Sequence, residues 1–196
     1  MAIEIERRFL VDGRKDKPWR SEDSITMTQY YLSDVIHIDD KIVWNDHILV
    51  EEKLEILNIT TWRIRKKIDS NGKQSIILTA KGRRIGATAT EFEWELASSL
   101  FEVLELEGLP SITKTRFLST GNDGLLWEVD EFEGVLAGLI IAEVELESES
   151  QEVELPVWVG LELTHLRGWS NSSLSRMVKD AAVSYTHLTL PTICSV

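Results

Sequence analysis

Residues 3–11 alternate: Glu4, Glu6 and Arg8 fall on one side, and Ile3, Ile5, Phe9 and Val11 on the other. Successive side chains of a strand point to opposite faces, so this pattern predicts a strand with one charged and one apolar face. The device recurs along the chain. Residues 60–68 gather Arg63, Arg65 and Lys67 on one side, with Trp62, Ile64 and Lys66 on the other. Residues 88–96 set Glu91, Glu93 and Glu95 opposite Phe92, Trp94 and Leu96. Residues 112–118 bring Lys114 and Arg116 together, and 125–132 do the same for Glu128 and Asp130. In 139–147, Glu143, Glu145 and Glu147 oppose Ala142, Val144 and Leu146.

Three further segments complete the strand pattern. Residues 25–32 are β-branched and aromatic, which favours a strand. Residues 74–80 return from the turn Ser70-Asn71-Gly72-Lys73 as the second arm of a hairpin and lead into Lys81. A short last strand is expected at 158–164. Ser98 or Ser99 can cap a short amphipathic helix that includes Leu100, Phe101, Val103 and Leu104. Ser170 or Asn171 can cap a helix from 172 to about 182. Residues 33–59 stay open, since 35–38 and 48–57 fit strands around an Asn45-Asp46 hairpin while Lys53-Leu54-Glu55 fits a helix equally. Residues 184–196 carry no charge and no period, and they resemble translated vector or adapter sequence rather than a natural end.

Composition narrows the class. A chain of 196 residues is long enough for one domain with a real core. No apolar run approaches the roughly 18 residues of a membrane span. The first residues lack the apolar core of a signal peptide, and Cys194 is the sole cysteine, so neither a disulfide framework nor a thiolate metal site is expected. A cytoplasmic location follows as the expectation. A formal net charge of -12 argues against nonspecific binding to nucleic acid or to an anionic membrane. A small polyanion held by a local basic cluster, or through metals on carboxylates, is still allowed.

The charged faces decide more than the totals. Glu4/Glu6, Glu91/Glu93, Glu128/Asp130 and Glu143/Glu145 are acidic pairs, while Arg63/Arg65, Lys81 with Arg83, and Lys114/Arg116 are basic ones. On a flat sheet they would face water. In a closed barrel they would all point inward, and unpaired buried charge is too costly to be mere packing. Such a lumen suits water, divalent cations and a highly charged ligand. Hard carboxylate oxygens suit Mg²⁺ or Mn²⁺, and arginine forks grip phosphate through two parallel hydrogen bonds. Lys81-Gly82 lacks the context of a glycine-rich phosphate loop. His37, His47, His165 and His187 show no metal spacing and no serine or cysteine partner. The tryptophans fit an outer hydrophobic face, and 147–154 a solvated acidic loop.

Glu4-Ile5-Glu6-Arg7-Arg8 resembles the Glu-x-Glu-x-Lys opening of the CYTH, or triphosphate tunnel metalloenzyme, superfamily. Collinear matches follow at Gln29-Tyr30-Tyr31-Leu32, Arg63-Ile64-Arg65, Leu78-Thr79-Ala80-Lys81-Gly82, Glu91-Phe92-Glu93, Lys114-Thr115-Arg116-Phe117, Trp127-Glu128-Val129-Asp130 and Ala142-Glu143-Val144-Glu145. Leu161-Glu162-Leu163-Thr164 through Leu174 resembles the closing motif. The resemblance spans roughly residues 2–182 and implies an α+β fold, a closed eight-stranded antiparallel β-barrel forming a tunnel with helices outside. It makes 1–182 one domain, with 33–59 an insertion near a tunnel mouth.

The resemblance also implies chemistry. Its members hydrolyse or cyclise triphosphates with Mg²⁺ or Mn²⁺. By motif position, Glu4, Glu6, Glu143 and Glu145 would be metal ligands, with Glu91, Glu93, Glu128 and Asp130 as additional candidates. Arg8, Arg63, Arg65, Lys81, Lys114 and Arg116 would clamp phosphates, and Tyr31 would accept a proton. The implied reaction is hydrolysis of a terminal phosphoanhydride, with inorganic tripolyphosphate favoured. A class IV-type adenylyl cyclase and a noncatalytic polyphosphate- or nucleotide-binding module are the alternatives. The oligomeric state is open, a homodimer included. One departure stands out: Arg8 replaces the usual lysine, keeping the charge in a planar, bulkier group.

Overall fold

A computed structural model describes residues 2–186 apart from 15, 21, 22 and 167. Its strands are β1 (Ala2–Val11), β2 (Ser24–Leu32), β3 (Ile36–Ile38), β4 (Lys41–Trp44), β5 (His47–Glu51) and β6 (Ile59–Asp69). They continue with β7 (Gln74–Gly82), β8 (Thr88–Glu95), β9 (Ser111–Thr120), β10 (Leu126–Phe132), β11 (Ile140–Glu145) and β12 (Val159–Glu162). The helices are α1 (Ser98–Phe101) and α2 (Asn171–Thr186).

Eight strands close into a ring in the order β1, β11, β10, β9, β2, β6, β7, β8 and back to β1. Every pairing in it is antiparallel. Closure depends on β1, which pairs through Glu6–Leu10 with β11 on one side and through Ala2–Ile5 with β8 on the other. Strand β12 adds to β1 beyond the end of β8, at Phe9 and Val11. The expected eight-stranded antiparallel barrel is present, and the alternating pattern explains it: the apolar side of each strand faces outward into packing and the charged side faces the lumen.

Three apolar clusters pack the barrel, two outside it and one within. In one, Ile42, Trp44 and Leu49 of the small β3–β4–β5 sheet pack on Ile64, Ile76 and Leu78 of β6 and β7. Residues 33–59, undecided from the sequence, thus supply a separate three-stranded sheet, while 52–58 form neither helix nor strand. Its hairpin turns at Asn45 and Asp46, both with positive φ (46° and 64°), which these short polar residues tolerate. A second cluster joins Phe9, Trp127, Val129, Ala142 and Val144 to Trp19 and Trp158 from the loops outside.

The third cluster lies on the lumen side. Tyr31, Ile112, Phe132 and Ile141, with Leu10 against them, continue the inward-facing rows but are apolar or aromatic, and they pack on Leu163, Trp169 and Leu174. They plug part of one end of the barrel, with α2 lying against β9. Ser170 Oγ accepts a hydrogen bond from the Ser173 N–H at 3.2 Å and so caps α2. This helix extends to Thr186, beyond the end expected near 182, and the remainder of the anticipated foreign tail lies outside the described residues. Helix α1 is a single turn with no side-chain cap, shorter than its pattern predicts. Among the described residues no helix is long and apolar enough to cross a membrane.

Candidate active site

The barrel encloses a cavity of about 1200 Å³, lined by every site residue singled out in the sequence except Asp130. Cross-strand register explains the convergence. Glu6 lies opposite Glu145, Arg8 opposite Glu143, and Glu143 opposite Glu128. Tyr31 lies opposite Arg63, Gln29 opposite Arg65, and Lys81 opposite Glu91. Because the side-chain period is two, each such pair delivers both groups to the same face of the sheet.

The carboxylates divide into three kinds. Asp130 and Glu143 are locked by cations. Asp130 holds Arg116 through both oxygens at 2.7 Å and also pairs with Lys114, all three being buried. Glu143 accepts Arg8 Nε at 2.7 Å and Arg116 Nη2 at 3.1 Å. Burial alone would raise the Glu143 pKa, but Arg8, Lys114, Arg116 and Lys81 together hold it well below the usual carboxylate range.

Glu4, Glu6, Glu91 and Glu128 have partners but lie close to other carboxylates, and Glu93 is partnered at the more exposed edge of the cavity. Glu4 and Glu91 share Lys81 at 2.6 and 3.0 Å, and Arg63 reaches Glu91 at 3.2 Å. Glu93 accepts Thr79 Oγ1 at 3.0 Å and stands 3.8 Å from Arg65. Glu128 pairs with Arg116. Burial, with further contributions from neighbouring carboxylates, raises the pKa of Glu4, Glu6 and Glu128. Glu145 is the third kind. It has no ion pair among the described residues, and burial followed by Glu4, Glu128, Glu6 and Glu91 raises its pKa.

The cations are likewise unequal. Arg8 is saturated: besides Glu143 it donates to Glu6 at 2.7 Å and to the Trp169 carbonyl at 3.3 Å. A planar fork can span these three acceptors, which gives the departure from lysine a structural reason. Lys114 is completely buried, and desolvation lowers its pKa. Arg63 and Arg65 each bury an Nε–H that has no hydrogen-bond partner among the described residues. Tyr31 donates to Gln29 Oε1 at 3.3 Å, and burial pushes its pKa up to about 12. At neutral pH it is therefore a neutral phenol.

Two contributors escaped the sequence pattern. Gln29 shares the lumen face of β2 with Tyr31 and accepts from both Tyr31 and Arg63, so its position two residues from Tyr31 was the available signal. Arg84 is the other. Strict alternation pairs Arg83 with Lys81, but β7 ends at Gly82; Arg83 is exposed, and Arg84 turns inward to bind Glu6. Outside the lumen, Arg7 points away and forms a two-pronged pair with Glu162 of β12 at 2.9 and 2.8 Å.

A closed antiparallel barrel whose lumen opposes carboxylates to guanidinium and ammonium groups defines a class of polyanion-binding tunnel. The CYTH domain family model matches residues 2–179, and the chain belongs to that family. It is 40% identical over 177 residues to the inorganic triphosphatase of Acetivibrio thermocellus, covering 89% of this chain and 94% of the relative. A segment of 94 residues is 35% identical to the inorganic triphosphatase of Nitrosomonas europaea, covering 46% of this chain and 62% of the relative. The solved structure of the inorganic triphosphatase NE1496 superposes with a TM-score of 0.53 at 28% identity, covering 88% of this chain and 97% of that one.

Proposed function

We propose that this protein is a divalent-metal-dependent triphosphatase that hydrolyses the terminal phosphoanhydride of inorganic tripolyphosphate inside the barrel. The observation that carries the reading is the pair of buried, unpartnered Nε–H groups on Arg63 and Arg65 beside the crowded carboxylates of the same cavity. Buried donors without acceptors are uncommon, and an anion with several oxygens satisfies them. The names of the Acetivibrio and Nitrosomonas relatives support the same reaction.

The donor chemistry fits Mg²⁺ or Mn²⁺. Among the described residues no three acidic or histidine side chains form a ready-made cluster. A hard cation needs only one or two carboxylates and completes its shell with water and substrate phosphate. Glu145, unpaired and surrounded by like charge, is the first candidate ligand, with Glu4 and Glu6 beside it. When bound, the cation would neutralise phosphate oxygens and make the attacking water more acidic.

The chain's own residues supply position and charge. Arg63 and Arg65 bind phosphate oxygens through their free Nε–H groups, and Lys81 reaches the chain from between Glu4 and Glu91. Arg116 faces the phosphates from a fixed seat, since Asp130 and Glu143 orient its guanidinium. Glu143, Asp130, Arg8 and Lys114 serve as this supporting frame rather than as direct ligands. Water adds to the terminal phosphorus as the bridging P–O bond breaks; orthophosphate and pyrophosphate result, and the protons of the water pass to these products and to solvent. With one cysteine in the whole chain and no dependence on a disulfide, a cytoplasmic location belongs to the same proposal.

The test is phosphate release from tripolyphosphate and from ATP, each with and without Mg²⁺ or Mn²⁺. Cation-dependent release that favours tripolyphosphate is the expected result. Silence with both substrates, or cyclic AMP and pyrophosphate from ATP, overturns the reading.

A further inference from the structure

Arg84 differs from the other lumen cations in how it is held. Arg8, Arg63, Arg65, Lys81, Lys114 and Arg116 rise from strands of the closed ring, whereas Arg84 sits in the loop between β7 and β8. Its side chain is 29% exposed, against 9–14% for Arg8, Arg63, Arg65 and Arg116. Gly82 and Gly86 flank it, and Gly86 has a φ of 63°, a conformation open to glycine without strain. Its Nη1 donates to the Ala87 carbonyl at 2.9 Å and its Nη2 to Glu6 Oε1. That same Glu6 oxygen accepts Arg8 Nη2 at 2.7 Å, so two guanidiniums converge on one carboxylate oxygen.

Resting on the triphosphatase reading, we propose that Arg84 is an exchangeable partner: it neutralises Glu6 in the free protein and turns to the phosphate chain when a divalent cation takes Glu6. Arg8 cannot make this exchange, because Glu143 and the Trp169 carbonyl hold it as well. Among the described residues Arg84 pairs with no second carboxylate; besides the Glu6 side chain it donates to the Glu6 and Ala87 backbone carbonyls. With a cation bound, Glu6 would no longer need Arg84 for neutralisation, and the Arg84 guanidinium would be repelled from it. The released fork lies at the wall of the cavity, where its planar donors match phosphate oxygens. Arg84 therefore competes with the cation when substrate is absent and assists substrate when it is present.

That double role gives two effects of opposite sign, which a merely structural residue would not produce. In Arg84→Gln, calorimetric titration of the substrate-free protein with Mn²⁺ is expected to give about five- to tenfold tighter binding, within the usual range of coupling between sites. The KM for tripolyphosphate at saturating Mg²⁺ is expected to rise about tenfold or more, with kcat changing less. Arg84→Lys, which keeps the charge without the fork, falls between wild type and Arg84→Gln in both measurements. Unchanged or weaker Mn²⁺ binding in Arg84→Gln, or an unchanged KM, overturns the exchange. A wild-type protein that binds Mn²⁺ yet releases no phosphate overturns the triphosphatase reading, and the exchange is then decided by the Mn²⁺ titration. Absence of Mn²⁺ binding in the wild type overturns both.

Discussion

Lys114 and Asp130 form an ion pair from which water is shut out, their side chains being 0% and 1% exposed. Because Asp130 also grips Arg116 with both oxygens, one carboxylate neutralises two buried cations. Asp130→Asn leaves Lys114 without its ion pair and Arg116 with Glu143 and Glu128 alone, and it is expected to cost about 3–5 kcal/mol, the range for removing one partner of a buried pair. For a chain of this size that lowers Tm by roughly 10 °C. Lys114→Met leaves Asp130 its Arg116 fork and is expected to cost less. Melting curves of the two variants check the order, and equal Tm values would remove the shared-anchor account.

Glu145 predicts a conflict between stability and activity. Its folded-state pKa lies above the ordinary carboxylate value because of burial and four neighbouring carboxylates. A carboxyl raised in this way binds its proton more tightly folded than unfolded. It adds stability as pH falls through the raised pKa and subtracts it at neutral pH. Glu145→Gln is therefore expected to melt a few degrees above wild type at pH 7 without divalent cations, while turnover falls about a hundredfold or more. Glu4→Gln is expected to lose turnover similarly without the gain in Tm, since it takes a partner from Lys81. A lower Tm with normal turnover in Glu145→Gln would count against its place as a ligand.

Acid should loosen the opposite side of the barrel wall. Arg20, Lys17 and the Trp19 indole N–H all donate to Glu131, and these bonds, Arg20 first, pull its pKa down to about 2. A depressed carboxyl contributes stability that is complete above its unfolded pKa and is lost as pH falls toward the folded one. Between about pH 5 and pH 2, wild-type stability is expected to decline more steeply than that of Glu131→Gln. Denaturant titrations across that window compare the two, and parallel curves would refute the assignment.

Tyr31 tests the choice of proton acceptor. As a buried phenol that donates to Gln29, it contributes a hydrogen bond worth about 1 kcal/mol rather than a base. Tyr31→Phe is expected to lower turnover by less than about tenfold, within what a lost positioning bond explains, and to leave the pH profile below pH 10 unchanged. A loss beyond about a hundredfold with a shifted profile would restore the proton-accepting role.

Much of this architecture is legible in the chain because strand alternation is a strict period. Glu4/Glu6, Arg63/Arg65 and Glu91/Glu93 face one lumen for that reason alone, and the Asn71-Gly72 hairpin follows from local turn chemistry, Gly72 standing at φ 78°. What alternation does not carry is the identity of the group across the sheet. Asp130 and Glu145 read alike in sequence, yet Asp130 lies opposite Arg116 and Glu145 lies opposite Glu6. The division of the carboxylates into anchors and open ligands is a product of that register. Arg84 was hidden because a strand ending at Gly82 breaks the period, and the apolar plug was hidden because Leu10 and Ile112 look like ordinary core residues until the ring is closed.

Closure by β1 against β11 has a consequence for how the protein is made. Arg8 and Glu143, paired across that seam, are 135 positions apart in the chain. Contacts of such span form late and slowly, because the intervening loop must first be closed. During synthesis β1 can pair through Ala2–Ile5 once β8 emerges, but its Glu6 and Arg8 wait for β11, the last strand of the ring. The charges that line the lumen therefore keep the unfinished sheet hydrated in the interval, and the chamber arises as a finished unit only when its last ring strand docks.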